Sequence, residues 1–227
     1  MVKGSESFET FVDWLAQRLG RPLPGWSAHR QWCPRPRSSS RAFPAPNALR
    51  PAAVVVLLVP DPENPRLPAL ALTRRTAELA HHGGQICLPG GALHEGEDAA
   101  DAARRELGEE LRIDPAGVRL LGTLSPITIP VSSFRVTPFV GVLGKVPVCD
   151  PDPSEVAELI WAPLADLFAP SRRQSRWERR HDTDVLVPFY EWGVWAIWGA
   201  TAMMLGELQV LFHQGCTQGT GSFEQLE

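Results

Sequence analysis

Apolar residues recur along this chain with two spacings, and the alternation between them outlines a fold. Residues 7–19 carry Phe8, Phe11, Val12, Leu15 and Leu19 at intervals of three and four, which predicts an amphipathic helix packing through one face. Residues 20–51 are rich in proline, arginine and serine and read as an irregular connector. Ala52 to Val59 is an unbroken, valine-rich apolar run, the mark of a strand buried on both faces. Further strands are predicted at 67–73, 118–124 and 134–143, with a proline-containing loop at 125–133. A short helix at 163–168, one or two strands in 185–198 and a helix at 199–212 complete the pattern. Strands interleaved with helices in this way predict an α/β/α sandwich around a mixed β-sheet. The implied division is an N-terminal helix and connector (1–49), one catalytic-sized domain (50–212) and a loose polar tail (213–227).

Residues 91–113, GALHEGEDAADAARRELGEELRI, hold the densest chemistry. Asp98 stands at an N-cap position and four alanines follow it, so a helix begins there. On that helix Glu106, Glu109 and Glu110 fall at i, i+3 and i+4 and share one face, while Leu107 and Leu111 form a stripe for the core. Ala102, one turn before Glu106, is expected to leave room for a ligand. Three clustered carboxylates repel one another. They form either a solvated acidic surface or a seat for a dication. Without a suitably spaced histidine or thiolate, the oxygen donors favour Mg²⁺ or Mn²⁺ over zinc. Gly90 and Gly91 permit a tight bend and a close backbone approach.

The order Gly91, Glu97, Arg105-Glu106, Leu107, Glu109-Glu110, Ile113 resembles the Nudix box, the signature of hydrolases acting on nucleoside diphosphates linked to another moiety. The resemblance implies that Glu106 and Glu110 ligate the metal, with Glu109 sharing the cluster and the Gly91 carbonyl adding to it. It further implies that Glu97 and Arg105 orient the carboxylates through a charge-assisted pair. One position departs: Arg112 stands where the box usually has a glycine, and it should alter the helix exit rather than the metal face.

Residues 72–91, LTRRTAELAHHGGQICLPGG, resemble the segment that accompanies the box in coenzyme A pyrophosphatases, through Leu72, Thr73, Arg75, Gly84, Pro89, Gly90 and Gly91. Thr76 replaces Ser or Ala, Leu88 replaces Phe, and Ala80 replaces a basic residue that could hold a substrate phosphate. Arg74, Arg75, Gly90 and His81 are the substrate-binding candidates. Val136–Gly141, Glu155–Leu164 and Trp198–Ala202 extend the likeness over roughly residues 50–212. In this family an acidic residue near Glu155 or Glu158 reaches the metal or acts as base, so Glu109 and Glu155 are both candidates for the general base.

Composition narrows the rest. The 227 residues suit one ample core, and 44% hydrophobic with 21% charged content is ordinary for a globular protein. A net charge of −4 offers no global attraction for nucleic acid or an anionic membrane, so neither is an expected partner. Four scattered cysteines, without a C-x-x-C pair, suit a reducing compartment; Cys87, in an apolar run, is expected to be buried. The first residues lack a signal-peptide core, and cytoplasmic placement is the expectation. Arg172, Arg173, Arg176, Arg179 and Arg180 read as a basic loop, and Trp192, Trp195 and Trp198 as packing residues.

The combined expectation is a Mg²⁺- or Mn²⁺-dependent enzyme that splits the diphosphate of coenzyme A or an acyl-coenzyme A into 3′,5′-ADP and (acyl-)4′-phosphopantetheine, with a homodimer as the assembly the resemblance implies. Alternatives are a Nudix pyrophosphatase for ADP-ribose or dinucleotides, favoured by Ala80 and Thr76, and a non-catalytic nucleotide-sensing module. Such modules usually lose box carboxylates, which this chain keeps.

Overall fold

The computed structural model describes residues 6–36, 45, 48–77, 83–180 and 182–217. Its centre is β1 (Arg50–Pro60), whose apolar run lies on both sides of the sheet. Val56 and Leu58 face one core with helix α1 (Glu6–Leu19) and helix α5 (Gly199–Thr217). Ala53, Val55 and Leu57 face a second core with α3 (Ala99–Leu111). Successive side chains of a strand point to opposite faces, so one apolar run supplies both layers. The α/β/α sandwich follows.

Strand β1 pairs in parallel with β7 (Phe134–Val142) and antiparallel with β2 (Pro68–Arg75) and β4 (Gly90–Ala92). Strand β3 (Ile86–Cys87) and β8 (Val156–Pro163) pair with β2. Strand β5 (Arg119–Thr123) and β6 (Ile127–Ile129) pair with β7, giving a mixed sheet. Strand β6 corrects the sequence expectation of a loop throughout 125–133. A three-residue strand is too short to show a period, and its partner β7 supplies the hydrogen bonds.

Other expectations also need amendment. The connector contains a short helix, α2 (Trp26–His29). Helix α1 is part of the main core, with Phe8, Phe11, Val12 and Leu15 buried beside residues of α5. Helix α5 runs past residue 212 to Thr217, because Gly215 packs under the Trp14 ring and Arg18 Nε donates to Gln214 Oε1 at 2.9 Å. Of the arginines after α4 (Leu164–Leu167), Arg172 ends a 3-10 turn, while Arg173, Arg176, Arg179 and Arg180 lie in a strand and not a loop. Strand β9 (Arg173–Arg180) pairs with β10 (Thr183–Trp192), which pairs with β11 (Trp195–Trp198) in a second sheet. Guanidinium groups of Arg173, Arg176 and Arg180 lie over Trp32, Phe189 and Trp198, 5.1–5.3 Å from the ring centroids. Trp192 and Trp195 are partly buried against the main core, in keeping with a packing role. Among the described residues no helix is long and apolar enough to cross a membrane.

Candidate active site

Helix α3 starts where the sequence places it. Asp98 adopts an extended conformation and its carboxylate accepts from Ala100 N at 2.8 Å, an N-cap that fixes the helix register. Ala102 and Ala103 are fully buried against the sheet, together with Leu107 and Leu111. Ala102 therefore does not open space for a ligand. Its small side chain instead lets the helix approach β1 closely. At the far end Arg112 takes a left-handed conformation, φ 56° and ψ 27°, the geometry a glycine would supply. The exit keeps its shape despite the substitution.

That close approach brings Glu106 and Glu110 onto the turn leading into β4. Gly91, opposite Ala53, has its Cα directly beneath the Glu106 carboxylate. Gly90 N donates to Glu110 Oε2 at 3.2 Å. Glu110 is almost wholly buried, at 2% exposure. Burial first, then the negative Glu106, pushes its carboxyl up to about 8, against the opposing effects of Arg75 and the Gly90 N–H. Burial also raises Glu106, and the nearby charges of Glu109 and Glu155 add to that effect. Arg75 Nη1 stands 3.8 Å from Glu110 Oε1, too far for a tight ion pair.

Arg105 holds the exposed side of the cluster. Its Nε and Nη2 donate to Glu97 Oε1 and Oε2 at 2.8 and 3.1 Å, a two-point clasp. Its Nη1 donates to Glu106 Oε1 at 2.9 Å and Glu109 Oε2 at 2.7 Å, and Nη2 also reaches the Ala92 carbonyl at 3.1 Å. The Arg105 hydrogen bonds, helped by His94 N, hold Glu97 down at about 2, so it is ionised at any working pH. One guanidinium thus ties the loop before α3 to two of its carboxylates.

The structure joins Glu97, Arg105, Glu106, Glu109, Glu110, Gly90, Gly91 and Arg75. Glu155 precedes β8 in a turn tied to α3, where Asp152 N donates to the Glu110 carbonyl at 2.9 Å and Glu155 N to the Asp152 carbonyl at 3.1 Å, and its negative charge adds to the rise at Glu106 and Glu110. Among the described residues no hydrogen-bond donor engages the Glu155 carboxylate. Arg74 is separated from this group: it turns to the opposite face of β2, where Nε donates to Glu158 Oε2 at 3.1 Å and the guanidinium lies over Trp195. Glu158 lies within β8 and is occupied by that pair. His81 and Ala80 lie outside the described residues. Cys87 is partly buried beside Thr73, and burial raises its thiol. Among the described residues no three acid, histidine or cysteine side chains converge as a ready-made ion cage, and the Glu109 carboxylate is engaged by Arg105.

One buried polar cluster lies outside the residues singled out from the sequence. Glu207 on α5 is fully buried and accepts from Gly25 N at 2.6 Å, Ser125 N at 2.8 Å and Ser125 Oγ at 2.8 Å, with His29 Nε2 at 3.3 Å. A single carboxylate in an otherwise apolar helix was the available signal. The cluster ties α2 and the loop before β6 to α5.

Comparison with known proteins identifies the family. Residues 48–182 match the NUDIX domain family. The protein named as an uncharacterized Nudix hydrolase NudL in Pectobacterium atrosepticum is 37% identical over 174 residues, covering 72% of this chain and 86% of that one. Its namesake in Escherichia coli strain K12 is 33% identical over 162 residues, covering 70% and 81%. Among solved structures, a Nudix hydrolase from M. smegmatis, RenU, superposes with a TM-score of 0.48 at 18% identity, covering 75% of this chain and 86% of that chain. With the box acids, their arginine clasp and the paired glycines assembled on a mixed α/β sandwich, the chain belongs to the NUDIX family and is a Nudix hydrolase.

Proposed function

We propose that the protein is a Mg²⁺- or Mn²⁺-dependent pyrophosphohydrolase acting on coenzyme A or its acyl derivatives. The observation that carries this reading is the burial of Glu106 and Glu110 against Gly90 and Gly91, with the proton affinity of both carboxylates raised. Arg105 meets one oxygen of Glu106 at the exposed side, and Arg75 stays 3.8 Å from Glu110, so the mutually repelling pair is stabilised further by a dication in place of protons. The donors are all oxygen, which suits a hard ion. Glu106 and Glu110 would hold it, with Glu109 and the Gly91 carbonyl as additional donors. When bound, such an ion neutralises the diphosphate and acidifies water.

The protein's own groups supply the remainder. Arg105 keeps Glu106 and Glu109 oriented, and Glu97 holds Arg105. Glu155 is better placed as general base than Glu109, whose carboxylate is already engaged by Arg105. It would take a proton from water attacking one phosphorus. The bridging P–O bond breaks, the second phosphate leaves with the shared electron pair, and the proton taken by Glu155 passes to it or to solvent. Arg75, beside Glu110 at the end of β2, is the arginine positioned for a substrate phosphate, and the 72–91 segment around it favours coenzyme A. Arg74, held by Glu158 on the other face, is not assigned that contact. Gly90, whose N–H meets Glu110, borders the same site.

The test is hydrolysis of coenzyme A, acetyl-coenzyme A, ADP-ribose, NADH and dinucleoside polyphosphates with Mg²⁺ or Mn²⁺, the products separated by mass. Preferential release of 3′,5′-ADP and 4′-phosphopantetheine supports the proposal. A preference for ADP-ribose or a dinucleotide replaces the substrate, and binding without turnover would favour a sensing module.

A further inference from the structure

Thr76 and Arg112, two positions where the chain departs from the patterns it resembles, both hold the same turn. Thr76 N donates to the Glu155 carbonyl at 3.0 Å and Thr76 Oγ1 to the Ser154 carbonyl at 3.1 Å. Arg112 Nη2 donates to Asp152 Oδ2 at 3.1 Å. Asp152 is the hub of this turn. Its Oδ1 accepts from Ser154 N at 2.9 Å and from Ser154 Oγ at 2.5 Å. Its carbonyl accepts from Glu155 N at 3.1 Å and Val156 N at 2.8 Å, and its own N–H donates to the Glu110 carbonyl at 2.9 Å. Asp150 N adds a bond to the Leu111 carbonyl at 3.3 Å.

The last carbonyls of a helix lack intrahelical partners. Here two of them, from Glu110 and Leu111, are taken by the chain that carries Asp152. The backbone of a cluster carboxylate, Glu110, and the turn presenting Glu155 are thereby joined through one residue. Asp152 itself lies beyond the acid cluster, at the C-terminal end of α3.

We propose that Asp152 is a positioning residue, which fixes the turn carrying Glu155 to the Glu110 end of α3, with Arg112 and Thr76 clasping that turn. Its catalytic consequence rests on the pyrophosphohydrolase reading above. Asp152 touches no substrate; it acts through Glu155. Replacement by alanine leaves Ser154 N and Ser154 Oγ without their acceptor and allows the turn to relax. Replacement by asparagine keeps a side-chain oxygen at the same place.

The experiment uses the full chain and the variants Asp152→Ala, Asp152→Asn, Glu155→Gln and the Asp152→Ala/Glu155→Gln pair, with coenzyme A and Mn²⁺. Asp152→Ala should lower kcat about 30- to 100-fold with KM little changed, since small misplacements of a reacting group cost that much. Asp152→Asn should restore most of the loss, because the ion pair to Arg112 is exposed and weak. In the Glu155→Gln background Asp152→Ala should cost nothing more. Should Asp152→Ala fail to fold, Arg112→Gly replaces it: glycine suits φ 56°, and kcat should fall about three- to ten-fold, again only when Glu155 is present. Losses that multiply independently of Glu155, an unaltered kcat in the folded variant, or no rescue by asparagine would overturn the proposal.

Mn²⁺ binding alone, followed by electron paramagnetic resonance, separates this claim from the substrate assignment. A wild type that cleaves nothing but binds Mn²⁺ sinks the functional reading only. The positioning claim is then read from hydrogen exchange at the Ser154, Glu155 and Val156 amides, which Asp152→Ala should speed about ten-fold or more and Asp152→Asn should leave near the wild type. Wild-type exchange at those amides in Asp152→Ala would contradict it, whether or not the protein binds Mn²⁺.

Discussion

The Glu106 carboxylate rests directly on the bare Cα of Gly91, so close that a Cβ there would come within 2.7 Å of Glu106 Cδ. The spacing between this glycine and this glutamate in the sequence is therefore a steric pairing. Helix α3 is pressed to the sheet by Ala102 and Ala103, and only a residue without a side chain fits beneath its acid face. Gly91→Ala should displace Glu106 and lower kcat by about 100-fold, the scale of an ångström-sized misplacement, while the far-ultraviolet circular dichroism stays native. Steady-state kinetics beside the spectrum would check this.

Gly90 carries a different constraint. Its φ of 145° is one that residues with a side chain rarely adopt, and a Cβ would lie 2.5 Å from Val54 Cα. Gly90→Ala should destabilise the fold by about 2–4 kcal/mol, combining backbone strain with overpacking. Denaturant unfolding would measure it.

Glu110 makes stability depend on pH in a direction opposite to that of an ordinary ion-paired carboxylate. Its folded pKa is raised to about 8, so between the ordinary carboxylate range and pH 8 the native state binds more protons than the unfolded chain. Stability from this group is greatest in acid and declines as pH rises toward 8. Unfolding curves of the metal-free protein between pH 5 and 8 should show the decline, and Glu110→Gln should flatten it. Mn²⁺ should restore more stability at pH 8 than at pH 5, because at the lower pH it must displace a proton.

Glu207 should matter for folding rather than for chemistry. Burial alone would raise its carboxyl, but bonds from His29, Ser125 and Gly25 outweigh that and hold it low. Glu207→Ala leaves those donors unsatisfied in the interior. The loss should be about 3–5 kcal/mol, read as a lower denaturation midpoint.

What the sequence disclosed depended on whether the information was local. The N-cap at Asp98, the acidic face of α3 and the bend at Gly90–Gly91 are each set by residues within a turn or two, and all appear where the pattern puts them. The exit at Arg112 kept a glycine-like conformation because the flanking chain, through Asp152 and Asp150, satisfies the helix end. Strand β9 was illegible for the opposite reason. Its arginines look like a solvated loop until Trp32 from the turn after α2, Phe189 from β10 and Trp198 from β11 lie beneath them. The separation of Arg74 from Arg75 similarly depends on strand pairing, with a register shift between the two. The place of Glu155 in the cluster follows from a turn tied to α3 and β2, which no sequence window contains.

The most direct measurement is Mn²⁺-dependent turnover of coenzyme A by the wild type, Glu106→Gln and Glu110→Gln, each with its Mn²⁺ affinity. The account predicts hydrolysis to 3′,5′-ADP and 4′-phosphopantetheine by the wild type, a loss of roughly 10²–10³-fold or more in both variants, and weakened Mn²⁺ binding without loss of fold. Wild-type turnover and metal affinity in either folded variant would contradict it.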